Sequence, residues 1–198
     1  MSDEPAGFLA GHFLLSQIDL MDRNFYRTVV LLLTHDADGA FGLVVNRPSG
    51  HSLGEVIEGL DGMSASTIPV FIGGPVQLDS LFALHKDPNR EVAVPGISNI
   101  VEGVTFEPAT RSLIEYLAGE WSSMPGNERP TVRLYAGYSG WGPGQLENEL
   151  KRPSWVVMKA SEKIIFDPDP AASWAQAFAG KGPLYKIILQ TSFRPSMN

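Results

Sequence analysis

The sequence predicts an α/β fold: a single compact domain over residues 1–198, with a mixed, partly irregular β-sheet covered by about three or four helices. Three observations carry this reading. Apolar runs of strand length stand at residues 28–34, 41–45, 69–72, 80–84 and 154–158. Helix-period stripes fall between some of them, at residues 53–60 and 113–121. The alternation is irregular and includes a hairpin signal, which favours a mixed sheet over a regular doubly wound one.

Taken in order, residues 8–18 read as a first strand or ordered arm containing Gly11 and His12. The run at 28–34, TVVLLLT, is continuously β-branched or aliphatic, as expected of a strand covered on both faces. Residues 41–45 repeat that pattern, and the Asp38-Gly39 turn signal between the two predicts a hairpin in the middle of the sheet. Pro48 ends the second strand. Ser52 and Glu55 fit a capping box, and Leu53, Val56, Ile57 and Leu60 share one face of the predicted helix, which Gly59 and Gly62 close.

Short strands follow at 69–72 and 80–84, the latter ending at His85. Residues 86–105 are broken by Pro88, Pro95, Gly96 and Gly103 and read as short strands and turns. Residues 109–120 carry the clearest helix pattern, with Leu113, Ile114, Leu117 and Trp121 as its apolar stripe and Arg111 paired to Glu115. Residues 131–150 read as a strand, a turn with four glycines, and a helix that Pro143 begins. Residues 154–158 form a further strand. Asp169-Pro170 starts a helix with Trp174, Ala177 and Phe178 inward, and residues 184–191 look strand-like.

Composition narrows the function classes. The chain has 15 basic and 22 acidic residues, a net charge of −7, which disfavours a nucleic-acid surface. It has no cysteine, so disulfides and thiolate metal sites are excluded. Residues 1–5 are acidic where a secretory signal needs basic residues. No apolar run approaches the roughly 20 residues that span a bilayer. A cytoplasmic location without membrane contact is expected.

The candidate chemistry centres on Gly137-Tyr-Ser139-Gly140-Trp141. A serine on a strand-to-helix turn invites comparison with a nucleophile elbow, but Trp141 occupies the place of the second glycine. All four histidines precede the serine, against the usual hydrolase order. Gly140, Gly142 and Gly144 offer backbone N–H groups to an anion at the helix start, with Trp141 and Gln145 as contacts. The alternative is a tight structural turn, and Glu147 and Glu149 oppose a phosphate. His35 and His85 each end an apolar strand and Arg47 follows another, so they are expected either to converge on a binding edge or to cap their strands. No zinc spacing is present, and Asp36-Ala-Asp38-Gly39 lacks the remaining ligands of a calcium loop.

Gly11-His-Phe-Leu14, Thr28-Val-Val30 with His35, the run from Gly39 to Pro48, Gly73-Gly-Pro-Val76 with Leu84-His85, and Gly137-Tyr-Ser-Gly-Trp141 with Gly144-Gln-Leu-Glu147 follow one another along most of the chain. Their combination resembles the successive motifs of the AlgH/YqgE family of bacterial proteins. The resemblance implies a cytosolic α/β protein of one domain, no established reaction, and a suggested role in transcriptional regulation. Relatives in that family often carry alanine at the position of Ser139, which speaks against a nucleophile.

The expectation is therefore a non-enzymatic regulatory or ligand-binding protein, with an enzyme of hydrolase type as the alternative and a DNA-binding regulator as a second. No catalytic residue, metal or cofactor is assigned. The expected ligand site is one concave pocket formed by His35, Asn46, Arg47, Gly74, His85, Ser139, Trp141 and Gln145, taking a small molecule or a protein partner.

Overall fold

Among the described residues the chain forms nine strands: β1 (His12–Ser16), β2 (Val29–Asp36), β3 (Gly39–Val44), β4 (Pro48–Ser52), β5 (Pro69–Ile72), β6 (Val76–His85), β7 (Thr105–Pro108), β8 (Val132–Trp141) and β9 (Trp155–Lys159). The computed structural model describes residues 8–90, 92, 94, 97 and 100–191. The acidic stretch at 1–5, the turn signals at Pro95 and Gly96 and the last seven residues lie outside the described residues. All nine strands belong to one sheet. Its main path runs β4-β5-β8-β3-β2-β1-β9, and β6 joins β8 and β7. The pair β5–β8 is parallel and the others are antiparallel, so the sheet is mixed as expected.

The β2–β3 hairpin lies at the middle of that path, with Asp36 opposite Gly39. Residues 29–33 are all essentially buried because the sheet is covered on both faces. Val29, Leu31 and Leu33 point into a core with Phe13, Tyr135, Trp174 and Phe178. Val30 and Leu32 point the other way, toward Leu146, Trp141 and Trp155. The period of two is thus visible as two separate cores. A third core, under β5, β6 and β8, gathers Leu53, Leu60, Leu113, Leu117 and Trp121.

Six α-helices are present among the described residues, more than the three or four expected: α1 (Leu53–Val56), α2 (Arg111–Tyr116), α3 (Gln145–Leu150), α4 (Glu162–Ile165), α5 (Pro170–Gly180) and α6 (Pro183–Thr191). The capping box of α1 forms, with the Glu55 carboxylate accepting from Ser52 N at 2.7 Å. The helix then stops after one turn, because Ile57 turns extended (φ −126°). Val56 is left 46% exposed, so the expected four-residue face does not form. α2 continues as a π-helical turn over Leu117–Trp121, which keeps Leu113, Leu117 and Trp121 buried. Asp169 caps α5 through its side chain to Ala172 N, as its sequence predicts.

Two expectations are corrected here. Strand β8 runs on to Trp141, so Gly137, Ser139 and Gly140 are strand residues, and the helix begins at Gln145, after Gly144 in a left-handed conformation, rather than at Pro143. Residues 183–191 form helix α6, not a strand. Tyr185, Ile188 and Leu189 share the face packed on the core near Phe178, a helical spacing that the high aliphatic content disguises. α4 and α5 are tied to the sheet by named polar contacts: Arg133 on β8 donates to Ile165 O at 2.8 Å and to Asp167 O, and Trp174 donates to Ser16 O at 2.9 Å.

Candidate functional site

Strand β8 is the spine along which the expected site residues are distributed. At its C-terminal end Trp141 pairs with Ala40, which pairs in turn with His35. At its N-terminal end Val132 pairs with His85. Nine residues separate these ends, about 30 Å of strand at the usual rise. His35, Trp141 and Gln145 are therefore brought together, His85 is placed at the opposite end, and the single pocket expected from sequence does not form.

The end containing His35 is a polar cluster bonded mostly within itself, although Glu147 Oε2 is buried without a partner. His35 is buried, its Nδ1 accepts from Leu9 N at 3.0 Å, and its Nε2 lies 3.2 Å from Glu147 Oε1. Its own backbone amide and His35 together hold the Glu147 carboxyl below the ordinary carboxylate value. Glu149 Oε2 accepts from both Trp141 Nε1 (3.0 Å) and Trp155 Nε1 (2.8 Å), and its Oε1 accepts from Gln145 (3.1 Å). Phe25 packs on both indoles. The Gly142 N–H, a candidate anion donor from sequence, donates instead to Gln145 Oε1 at 3.1 Å.

Four other candidates have structural partners. Asn46 brackets the start of β2: its Oδ1 accepts from Val29 N at 2.8 Å and its Nδ2 donates to Arg27 O at 3.0 Å. That places it at the far end of the hairpin from His35, six residues of β2 or about 20 Å away. Arg47 donates to Asn24 O at 2.7 Å, and burial pulls its guanidinium below the ordinary value against the opposing charge of Asp22. Gly74 packs on the backbone of Tyr138, where an added Cβ would stand 2.1 Å from the Tyr138 carbonyl carbon. Ser139 is fully buried and its hydroxyl donates to Gly73 O at 3.3 Å. A serine so enclosed, on a strand rather than a turn, is not presented to a substrate.

The end containing His85 is different, because a network of charges there borders open space. His85 is 1% exposed; its Nδ1 accepts from Asp87 N at 3.3 Å and its Nε2 stands 3.1 Å from Glu107 Oε1. Glu107, on neighbouring β7, takes Arg90 in a two-point contact at 2.5 and 3.0 Å. Burial pushes the Glu107 carboxyl up, but His85 and Arg90 outweigh it and hold the group below the ordinary carboxylate value. Asp87 accepts from Tyr116 on α2 and from Asn89 N. Burial, with the Asp87 carboxylate, pushes the Tyr116 phenol up.

Beside this network lies a cleft of about 360 Å³ lined by Lys86, Asp87, Pro88, Val101, Gly103, Val104 and Thr105. An adjoining cleft of about 610 Å³ shares Val101 and Gly103 and adds Glu102, Lys159 and Glu162. Glu107, Arg90, Asp87, Tyr116 and Lys86 were not singled out from sequence. The one available signal was Glu107, a lone carboxylate between apolar Phe106 and Pro108 in a strand-length run. Among the described residues no group of three or more His, Asp or Glu side chains is placed to hold a metal ion, and no helix is long and apolar enough to cross a membrane.

Comparison with known proteins agrees with this architecture. The chain is 33% identical to a UPF0301 protein of Chlorobium limicola over 188 residues, covering 95% of each. It is 36% identical to a UPF0301 protein of Caulobacter vibrioides over 189 residues, covering 92% of this chain and 91% of that one. The solution structure of the AlgH protein from Pseudomonas aeruginosa superposes with a TM-score of 0.68 at 30% identity, over 98% of this chain and all of the other. A crystal structure from Corynebacterium diphtheriae, 20% identical, shares the fold with a TM-score of 0.69 over 98% of this chain and 95% of that one. Residues 13–186 match the AlgH-like family, and the chain belongs to it.

Proposed function

We propose that this chain is a non-enzymatic, cytoplasmic ligand-binding protein with a regulatory role, and that its ligand site is the cleft beside His85. The observation that carries the reading is the buried His85–Glu107–Arg90 group, joined through Asp87 to the cleft wall. Buried charges are expensive to desolvate, and apolar packing of the same volume is often at least as stable. Such a network next to a concave surface therefore supports a functional site better than a stability device.

Binding is favoured over catalysis because the expected catalytic groups are occupied. Ser139 is enclosed, and both His35 nitrogens have internal partners. His85 has only 1% of its surface exposed, so it does not reach a bound molecule as a base. A net charge of −7 supports a small-molecule or protein partner over nucleic acid.

The test is an unbiased thermal-shift screen. A ligand at 100 times its Kd stabilises by about 2.7 kcal/mol, which for a chain of this size raises Tm by several degrees. The shift is expected to vanish in Lys86→Ala and Thr105→Val and to persist in Gln145→Ala at the other end of β8. A ligand whose shift survives both cleft substitutions places its site elsewhere and overturns the assignment.

A further inference from the structure

An ion pair links the linings of the two clefts. Lys86, immediately after His85, donates to Glu162 at the start of α4, joining segments 76 residues apart in sequence. Lys86 lines the smaller chamber and Glu162 the larger, and Val101 and Gly103 line both. The two side chains are 36% and 42% exposed, so water and salt screen the pair and it is held weakly. Gly103 has no side chain to crowd the junction: Glu162 Oε2 is the nearest atom to where its Cβ would stand, at 3.8 Å.

We propose that the two chambers form one site for a small anion, and that Glu162 is its built-in occupant. An incoming carboxylate or phosphate displaces the Glu162 carboxylate from Lys86 and takes the Lys86 ammonium, the Thr105 hydroxyl and the Lys159 ammonium as partners. This rests on the reading of the cleft as a ligand site. Lys159 lines the larger chamber and forms no ion pair among the described residues. The Asp87 carboxylate, whose oxygens accept from Asn89 N and Tyr116, keeps its negative charge on the wall of the smaller chamber. Glu102 in the larger chamber limits the ligand to low charge and argues against a polyphosphate. Lysine is a point charge with no planar preference, so carboxylate and phosphate both fit.

The experiment titrates the full chain with inorganic phosphate and, separately, with succinate at fixed low chloride, following backbone amide signals of Val101, Gly103 and Thr105. Binding of either supports the proposal, and which one binds assigns the ligand class. Lys86→Gln is expected to weaken binding at least ten-fold while Lys86→Arg retains it. Glu162→Gln is expected to strengthen binding by about two- to five-fold, the competition an exposed ion pair offers. Opposite signs for the two partners distinguish a displaceable occupant from a merely structural pair, whose loss moves both variants the same way. Matching thermal unfolding curves establish that the variants fold. Weaker binding in Glu162→Gln overturns the proposal, as does the failure of both anions to bind wild type and Glu162→Gln. If both anions fail while a neutral ligand from the screen shifts the same amides, the anion proposal falls and the cleft reading stands; if no ligand shifts them, both fall.

Discussion

Glu107 is a carboxylate with a 2%-exposed side chain, neutralised by Arg90 and faced by His85. Removing one partner of a buried pair leaves the other charge uncompensated. Arg90→Ala is therefore expected to cost about 3–5 kcal/mol at pH 7. The pH dependence fixes the sign. In the wild type the folded Glu107 pKa is depressed, so its contribution is present above the unfolded carboxylate value and is lost as pH falls below it. Without Arg90, burial is less opposed and the folded pKa moves up. The mutant then relieves its penalty by binding a proton, and the gap to wild type narrows on acidification. Urea unfolding of both proteins at pH 7 and pH 4.5 measures it, and a gap that stays constant with pH contradicts the argument. At this scale the sequence exposed half of each contact. His35 and His85 stand out at the ends of apolar runs, whereas Glu147 lies 112 residues from its histidine and Glu107 meets His85 through the pairing of β6 with β7. Strand register, which no local spacing encodes, creates those partners.

The glycines of residues 137–144 look alike in sequence and do different work in the strand and turn they occupy. Gly137 has φ +68°, and an added Cβ would stand 2.7 Å from Gly74 O and 2.8 Å from Val76 O. Gly144 has φ +71° but open space around it, and Gly142 has open space with no positive φ. Substitution by alanine is expected to rank accordingly. Gly142→Ala changes stability by no more than about 0.5 kcal/mol. Gly144→Ala costs about 1–2 kcal/mol of left-handed strain. Gly137→Ala costs more than either, since it adds that strain to a collision with two backbone carbonyls. Chemical denaturation orders the three, and a Gly142 variant as damaged as the Gly137 variant defeats the assignment. The glycine cluster suggested a turn because glycine usually marks one. Here close approach of β8 to Gly74 and Val76 demands it inside a strand instead. The apolar runs of β2 and β3 were legible because burial of successive residues in β2, covered on both faces, leaves an unbroken apolar signature beside the Asp38-Gly39 turn. Helix α6 was not, since its nine residues are rich in Leu and Ile, and only Lys186 and Gln190, four apart, mark the helical period.

Across the whole molecule the sheet separates what the sequence suggested was one site. Ala40 and His85 pair with β8 at positions nine residues apart, so the clusters of His35 and His85 sit at opposite ends of the same strand. The mixed sheet and its central hairpin follow from strand patterning, but the expectation of convergence assumed that strand ends meet at one edge. In an antiparallel pair the C-terminal ends point opposite ways, as those of β6 and β8 do. The separation makes ligand binding readable from two reporters in one experiment. A molecule entering the cleft of Lys86 and Thr105 lies against Asp87, whose N–H donates to the His85 ring, and about 30 Å of strand from the Trp141 indole, whose N–H is held by Glu149. Titration with a cleft ligand is expected to move the His85 ring signals in proportion to occupancy. The Trp141 indole N–H and the His35 ring are expected to stay fixed, because each is locked by its own carboxylate in a separate core layer. Movement of both reporters with a common Kd means that the two ends are coupled through β8; movement of Trp141 alone places the ligand at the Glu149 end and removes the His85 cleft as the site.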